Sequence, residues 1–318
     1  MFEHKTFIRF VDESFEKGLD IVCLSIVQTE GSTYQKPGTT MLVNSAHEMV
    51  GVLSGGCIEE ALLHCCDEVL QKGVGKLVTH DLRLPDDSLQ SWEEGVGCNG
   101  LIQVWLEPFY RSHNYGIFGE AVSYAKEGKR IIFHRSLEGK APFIETETVH
   151  QPMLYDEAHH TLIQPIEPCF KVLILGIGSA VQAVVDMANI LGWQTYVCDT
   201  RADALDVIVN ADEKRLFASA TECETLLGEE RFDACVIMSH LFKADSAYLK
   251  SALHSKASYI GLLGSKTRSH KIIESLGESI TLDERFHAPI GLGIGAKTPQ
   301  AIALAICAQI ESEKNERV

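Results

Sequence analysis

The sequence predicts an α/β protein, with an N-terminal mixed α/β domain followed by a Rossmann-like, doubly wound parallel-sheet domain. Three observations lead there. From Lys171 onward, short apolar runs alternate with helical stretches, the pattern of a parallel sheet covered on both faces. Gly176 and Gly178 close the first of these runs and open a helix, and Asp199 closes the next run, which is the setting of a nucleotide-type fingerprint. The 318 residues, 45% hydrophobic and 23% charged, suffice for two ordinary domains, placed at 1–168 and 169–318.

Within the first domain, Phe7, Phe10, Val11 and Phe15 share one face of an opening helix. The β-branched run 20–28 is a buried strand, followed by a polar loop through residue 39. Short strands at 41–43 and 51–53 flank a turn, and 54–57 leads into a helix whose Ile58, Ala61, Leu62, Cys65 and Val69 form one face and which Gly73 ends. Residues 76–82 and 101–108 are further strands, separated by a loop rich in Pro, Asp, Ser and Gly. Residues 118–139 echo 10–31 as helix, Gly, strand and Glu-Gly, which suggests a duplicated unit or a chance likeness. Residues 138–168 read as a hairpin and interdomain linker.

The second domain supplies strands at 172–176, 194–198, 215–217, 234–239 and 259–264, and a last helix opened by Thr298 and Pro299. At its glycine loop, Gly176 and Gly178 would let a pyrophosphate approach, and Asp199 would accept from a ribose hydroxyl. Val181 stands where the fingerprint wants a small residue, so weak or absent NAD(P) binding is expected. Ser265 caps a helix beside Lys266 and Arg268, either an anion site or a well-capped helix with solvated basic residues. A third glycine-rich turn at 287–295 closes the crevice wall.

The ten cysteines contain no Cys-x-x-Cys pair, so free thiols in a reducing compartment are expected, without a disulfide framework or a structural metal. Two cysteines sit among glycines. Cys57 follows Gly55 and Gly56 at a helix start, where the dipole favours thiolate and Glu59 opposes it. Cys98 lies between Gly97 and Asn99-Gly100. A third loop, 31–38, offers Ser32 and Lys36. The three together mark a ligand site. A net charge of −16 argues against nucleic-acid partners, no apolar run is long enough for a bilayer, and the start of the chain does not read as a signal peptide.

The runs GSTYQKPGTTMLV, GVLSGGCIEEAL, GVGCNGLIQVWLEP, VLILGIGSAVQ, CDTR, YIGLLGSKTRSHKI and HAPIGLGIGAKTPQAIALAI, in that order, resemble the XdhC/CoxI family of accessory proteins for xanthine dehydrogenase and related molybdenum hydroxylases. The sequence departs from the family pattern at Asn99, at Gly293 and at Ser179-Ala180. The resemblance implies a small N-terminal domain joined to a Rossmann-like one. It implies a chain that binds molybdenum cofactor, holds it while an oxo ligand is replaced by sulfido, and hands it to the hydroxylase apoenzyme. On that reading Cys57 and Cys98 handle sulfur near the metal or carry a persulfide from a cysteine desulfurase, and Glu59 accepts from the pterin. Lys36, Lys266 or Arg268 meets the phosphate, and Ser32, Gly55, Gly56, Asn99, Gly176, Gly178, Asp199 and Ser265 complete the binding set. It also implies a cytoplasmic homodimer. Two rival readings stand beside it. One is an NAD(P)-dependent oxidoreductase using Gly176, Gly178 and Asp199, without an evident proton-relay motif. The other is an interaction protein whose loops only shape a docking surface.

Overall fold

In the computed structural model, which describes residues 4–56, 58–81, 83, 99–146, 154–277 and 282–316, the chain divides into two units at Pro168/Cys169. The first unit runs α1 (Lys5–Glu16), β1 (Ile21–Ser32), β2 (Thr40–Asn44), β3 (Met49–Val50), α2 (Glu59–Lys72), β4 (Lys76–Asp81) and β5 (Asn99–Phe109). It continues with α3 (Gly116–Lys126), β6 (Ile131–Ser136), β7 (Phe143–Glu145), β8 (Leu154–Asp156) and β9 (Thr161–Ile166). Two sheets result, ordered β3-β2-β1-β5-β4 and β7-β6-β9-β8, and both are antiparallel throughout.

Strand β1 explains the continuous apolar run that begins it. Ile21 and Cys23 point into a core with Val11 of α1, Phe118 of α3 and Phe133 of β6. Val22, Leu24 and Ile26 point the other way, against Leu62, Cys66 and Val69 of α2. A strand covered on both faces has no solvent side to alternate with. Helix α2 stops where Gly73 adopts φ 68° and donates to the Val69 carbonyl, a left-handed cap that costs glycine least.

Several expectations need correction. Residues 51–53 are not a strand, since the pairing with β2 involves only Met49 and Val50. Residues 138–168 hold the expected hairpin, β8 with β9, but less linker than expected, because β7, β8 and β9 are three of the four strands of the second sheet. Strand β1 runs on through the polar residues to Ser32, because Gly31 and Ser32 still pair with Gly100 and Asn99. The helix–Gly–strand plan does recur in space. Gly18 and Gly128 both take φ 74° after their helices, and strands begin at Ile21 and Ile131.

The second unit is β10 (Lys171–Leu175), α4 (Val181–Ile190), β11 (Gln194–Asp199), α5 (Ala202–Asp206), β12 (Glu213–Leu216), α6 (Glu222–Glu229) and β13 (Ala234–Ile237). Then come α7 (Phe242–Leu253), β14 (Tyr259–Leu262), α8 (Lys266–Leu276), β15 (Phe286–His287) and α9 (Pro299–Glu316). Its sheet has the order β12-β11-β10-β13-β14-β15 with every pair parallel. That order is doubly wound, with the switch point between β10 and β13. The sixth strand, β15, leads into what reads from sequence as a glycine-rich turn and shares only His287 with it; at two residues it leaves no hydrophobic period to detect. One core packs α4 and α9 on one face, with Val181, Val184, Ala303 and Ile306 buried together. Another packs Leu249, Ile260 and Ile272 on the other.

Candidate functional site

In the first unit, three chain segments meet at one end of the five-stranded sheet. The end of β1 pairs with the start of β5, which sets Ser32 opposite Asn99 and Gly31 opposite Gly100. A side chain at Gly100 would meet the Ser32 carbonyl at 2.7 Å and Thr33 Cγ2 at 2.7 Å, so only glycine lets loop 31–38 lie this close. Thr33 Oγ1 then donates to the Gln35 carbonyl at 2.9 Å, which fixes the turn. Loop 54–59 is the third segment, and Tyr34 reaches it: a Cβ at Gly55 would stand 3.6–3.7 Å from three of its ring carbons. Ser32, Lys36, Gly55 and Gly56 are all exposed.

Loop 54–59 is built around a carboxylate. Glu59 accepts the amides of Ser54 at 2.8 Å, Gly56 at 3.0 Å, Leu53 at 3.1 Å and Ile58 at 3.2 Å, and also the Ser54 hydroxyl. Ser54 Oγ in turn accepts the Ile58 amide. Glu59 is 9% exposed. Burial alone would raise its pKa, but the Ser54 hydroxyl and the backbone amides outweigh burial and hold it below the usual carboxylate value. The side chain therefore organises the loop from beneath, with its lone pairs committed to its own chain. This differs from the expectation that it faces a ligand. Gly55 and Gly56 adopt φ 77° and 112°, and nothing lies within 4 Å of a Cβ placed on Gly56. Cys57 and Cys98 lie outside the described residues, as does the side chain of Asn99. Of the eight cysteines described, seven are buried. Burial pushes the thiols of Cys66, Cys198, Cys235 and Cys307 up to about 12, so these are core groups.

In the second unit, the glycine loop is filled by its own chain. A Cβ on Gly176 would lie 2.0 Å from Ser239 Cβ, and one on Gly178 would lie 2.5 Å from the His240 ring. Both glycines serve the approach of the segment that follows β13. Asp199, 2% exposed, accepts the Ile177 amide at 2.6 Å, the Arg201 amide at 2.8 Å and the Arg201 guanidinium at 2.8 and 3.0 Å. Burial pushes its pKa up, and Arg201 with the two amides pulls it below the usual range. Arg201 closes the ring by donating to the Ile177 carbonyl at 2.9 Å.

At the neighbouring strand ends, Ser265 caps α8 by accepting the Arg268 amide at 3.2 Å. Arg268 does not stand free for an anion. Its guanidinium donates at 2.7 Å to Asp245, a wholly buried carboxylate that also takes the Ser239 amide and hydroxyl. A buried carboxylate requires a cation, and Arg268 is the one supplied. Lys266 remains exposed. Sequence reasoning missed Arg201, Ser239 and Asp245, and placed Ser54 and Tyr34 in the candidate loops without giving them a role. Only Arg201 had a visible signal, a base two residues after an acid at a strand end. Among the described residues, no three His, Cys, Asp or Glu side chains gather to hold a metal ion, and no helix is long and apolar enough to cross a membrane.

Comparison with known proteins matches both units. The XdhC Rossmann domain covers residues 172–310, and the XdhC and CoxI family domain covers residues 15–81. The chain is 29% identical to a probable xanthine dehydrogenase subunit of Bacillus subtilis, over 96% of each protein. It is 20% identical to the molybdenum cofactor insertion chaperone PaoD of Escherichia coli, over 98% of this chain and 88% of that one. A crystal structure of a xanthine dehydrogenase from Bacillus halodurans superposes with a TM-score of 0.78 at 28% identity, covering 98% of this chain and 96% of that one. With both domains matched in order and a solved relative of the same fold over nearly its full length, the chain belongs to the XdhC/CoxI family.

Proposed function

We propose that this chain is a non-enzymatic accessory protein. It binds molybdenum cofactor, assists its sulfuration and delivers it to a xanthine dehydrogenase-type molybdenum hydroxylase apoenzyme. The observation that carries the reading is loop 54–59, held open over a buried carboxylate, in a chain related along almost its whole length to a protein named as a molybdenum cofactor insertion chaperone.

The described residues fit such a group. Left-handed Gly55 and Gly56 leave open backbone, Ser32 offers a hydroxyl, and Lys36 offers positive charge to a phosphate, all on segments that meet. When bound, the cofactor supplies the metal centre at which an oxo ligand is exchanged for sulfido. Cys57 and Cys98 supply soft sulfur to that centre, or carry a persulfide received from a cysteine desulfurase. Glu59 serves by fixing the loop, and Asn99 by anchoring the start of β5. In the second unit, Ser265 with exposed Lys266 is the remaining candidate for anionic contact, while Gly176, Gly178, Asp199 and Arg268 hold the crevice in shape.

The oxidoreductase alternative is disfavoured by the same geometry. In a dinucleotide site the loop amides face pyrophosphate and the acidic strand end faces ribose. Here Asp199 takes the Ile177 amide itself, so the residues do not fit NAD(P). The proposal further includes a cytoplasmic homodimer without nucleic-acid or membrane partners, the former disfavoured by the net charge of −16.

Loading an apo-hydroxylase with cofactor from wild-type, Cys57→Ser and Cys98→Ser chains tests the reading. Both variants should fold and yet deliver less active, sulfido-bearing cofactor. Normal loading by both would remove the cysteines from the function.

A further inference from the structure

Tyr34 is 62% exposed, the most exposed large aromatic side chain among the described residues, and it stands on the loop that meets 54–59. Its contact with that loop is made by the ring face. A Cβ built on Gly55 lies 3.6 Å from Cε2 and 3.7 Å from both Cδ2 and Cζ. An edge-on approach would leave the two flanking carbons much farther away than the middle one, whereas nearly equal distances place the point over the ring. One face of the tyrosine thus lies along the backbone at Gly55, and the rest of the ring meets solvent.

The backbone that carries the ring is also held in place. Gly100 packs against Ser32 and Thr33 with no room for a side chain, Thr33 Oγ1 ties down the turn at Gln35, and the Gly38 amide returns to the Ile26 carbonyl at 2.9 Å. An exposed tyrosine, with only two side-chain torsions to fix, loses little conformational entropy when it takes a partner. Beside it, Gly56 has φ 112° and open space where a side chain would stand. Two residues along the same loop, Lys36 is exposed and positively charged. A ligand with a planar heterocycle and a phosphate would find a stacking face, a side-chain-free edge and a cation on segments that the fold brings together.

We propose that Tyr34 is the stacking platform for the planar pyrimidinone ring of the bound cofactor's pterin. Planar heterocycles stack on tyrosine faces, and the interaction depends on the face and not on the hydroxyl. The inference rests on the cofactor-binding reading above and adds the residue that recognises the flat part of the ligand.

The test uses full-length wild type and the variants Tyr34→Ala, Tyr34→Phe and Tyr34→Trp, purified from cells that make the cofactor. Pterin per chain is measured by fluorescence after oxidation, and folding by circular dichroism and thermal unfolding. Removing one stacking contact should lower retained pterin by about tenfold in Tyr34→Ala, while Phe and Trp should stay within about twofold of wild type. In Tyr34→Trp, indole emission should be quenched when pterin-6-carboxylic acid is titrated in. Wild-type retention by a folded Tyr34→Ala would overturn the inference and leave the cofactor reading standing. Equal loss in Tyr34→Phe would overturn stacking in favour of the hydroxyl. Absence of pterin from wild type would overturn both readings.

Discussion

The Asp199 carboxylate accepts the Ile177 amide at 2.6 Å, so the acid at the end of the second strand closes the glycine loop of the first. In the same ring Arg201 bridges the Asp199 carboxylate and the Ile177 carbonyl. A ribose hydroxyl would have to compete for Asp199, a buried carboxylate already paired with the part-exposed Arg201, while Gly176 and Gly178 are spent on the close approach of Ser239 and His240.

Titration calorimetry should therefore find no saturable NAD(P) binding below the millimolar range. Asp199→Asn should destabilise the protein by about 1–3 kcal/mol, because amides and a guanidinium lose a charged acceptor. Micromolar NAD(P) affinity abolished by that substitution would restore the oxidoreductase reading.

Glu59→Gln should disorder loop 54–59. The amide side chain turns an N–H donor toward a cluster of N–H donors, at a cost of about 1–3 kcal/mol. The sign of the pH dependence follows from the lowered pKa of Glu59. A carboxyl held below its unfolded value contributes stability above that value, and the contribution is lost as pH falls through the lower, folded one. Asp199 acts in the same direction. Stability should therefore drop below about pH 4, and Glu59→Gln should flatten that limb of a thermal-unfolding profile.

Arg135 is wholly buried in the first unit, donating at 2.7 Å to Ser25 Oγ, at 2.6 Å to Gln164 Oε1 and at 3.2 Å to Cys23 Sγ. Glu107 is its ion-pair partner at 3.5 Å. Burial raises the pKa of Glu107, and Arg135 opposes that rise. Arg135→Ala should cost about 3–5 kcal/mol in chemical denaturation, since it leaves the largely buried Glu107 without its cation and several buried acceptors without their donor. A loss below about 1 kcal/mol would mean that the network is not a structural keystone.

The sheet of the second unit was legible because β10, β11, β13 and β14 are short runs of buried apolar residues. The glycine loop and Asp199 were also located, but the chemistry assigned to them was not. An acid at that position can face a ribose or its own loop, and only the Arg201 and Ile177 contacts decide which. Loop 54–59 was found through Cys57 and its glycines. The role of Glu59 was hidden because its donors are mostly backbone amides, whose path the sequence does not reveal. A hairpin was read in 138–168, and β8 and β9 do pair antiparallel, but their place in a four-stranded sheet was hidden because β7 and β8 are three residues each and Pro165 of β9, opposite Ile132, reads as a break. Polar Thr29, Glu30 and Ser32 disguised the far end of β1 as loop, although each pairs with β5.

The central claim is that the chain itself holds molybdenum cofactor. Purification of the wild-type protein from cells that make the cofactor, followed by parallel assay of molybdenum and pterin, tests it most directly. The account predicts that both accompany the chain in matched amounts, and that both are reduced in Glu59→Gln and Tyr34→Ala. Fully folded wild-type protein carrying neither would contradict it.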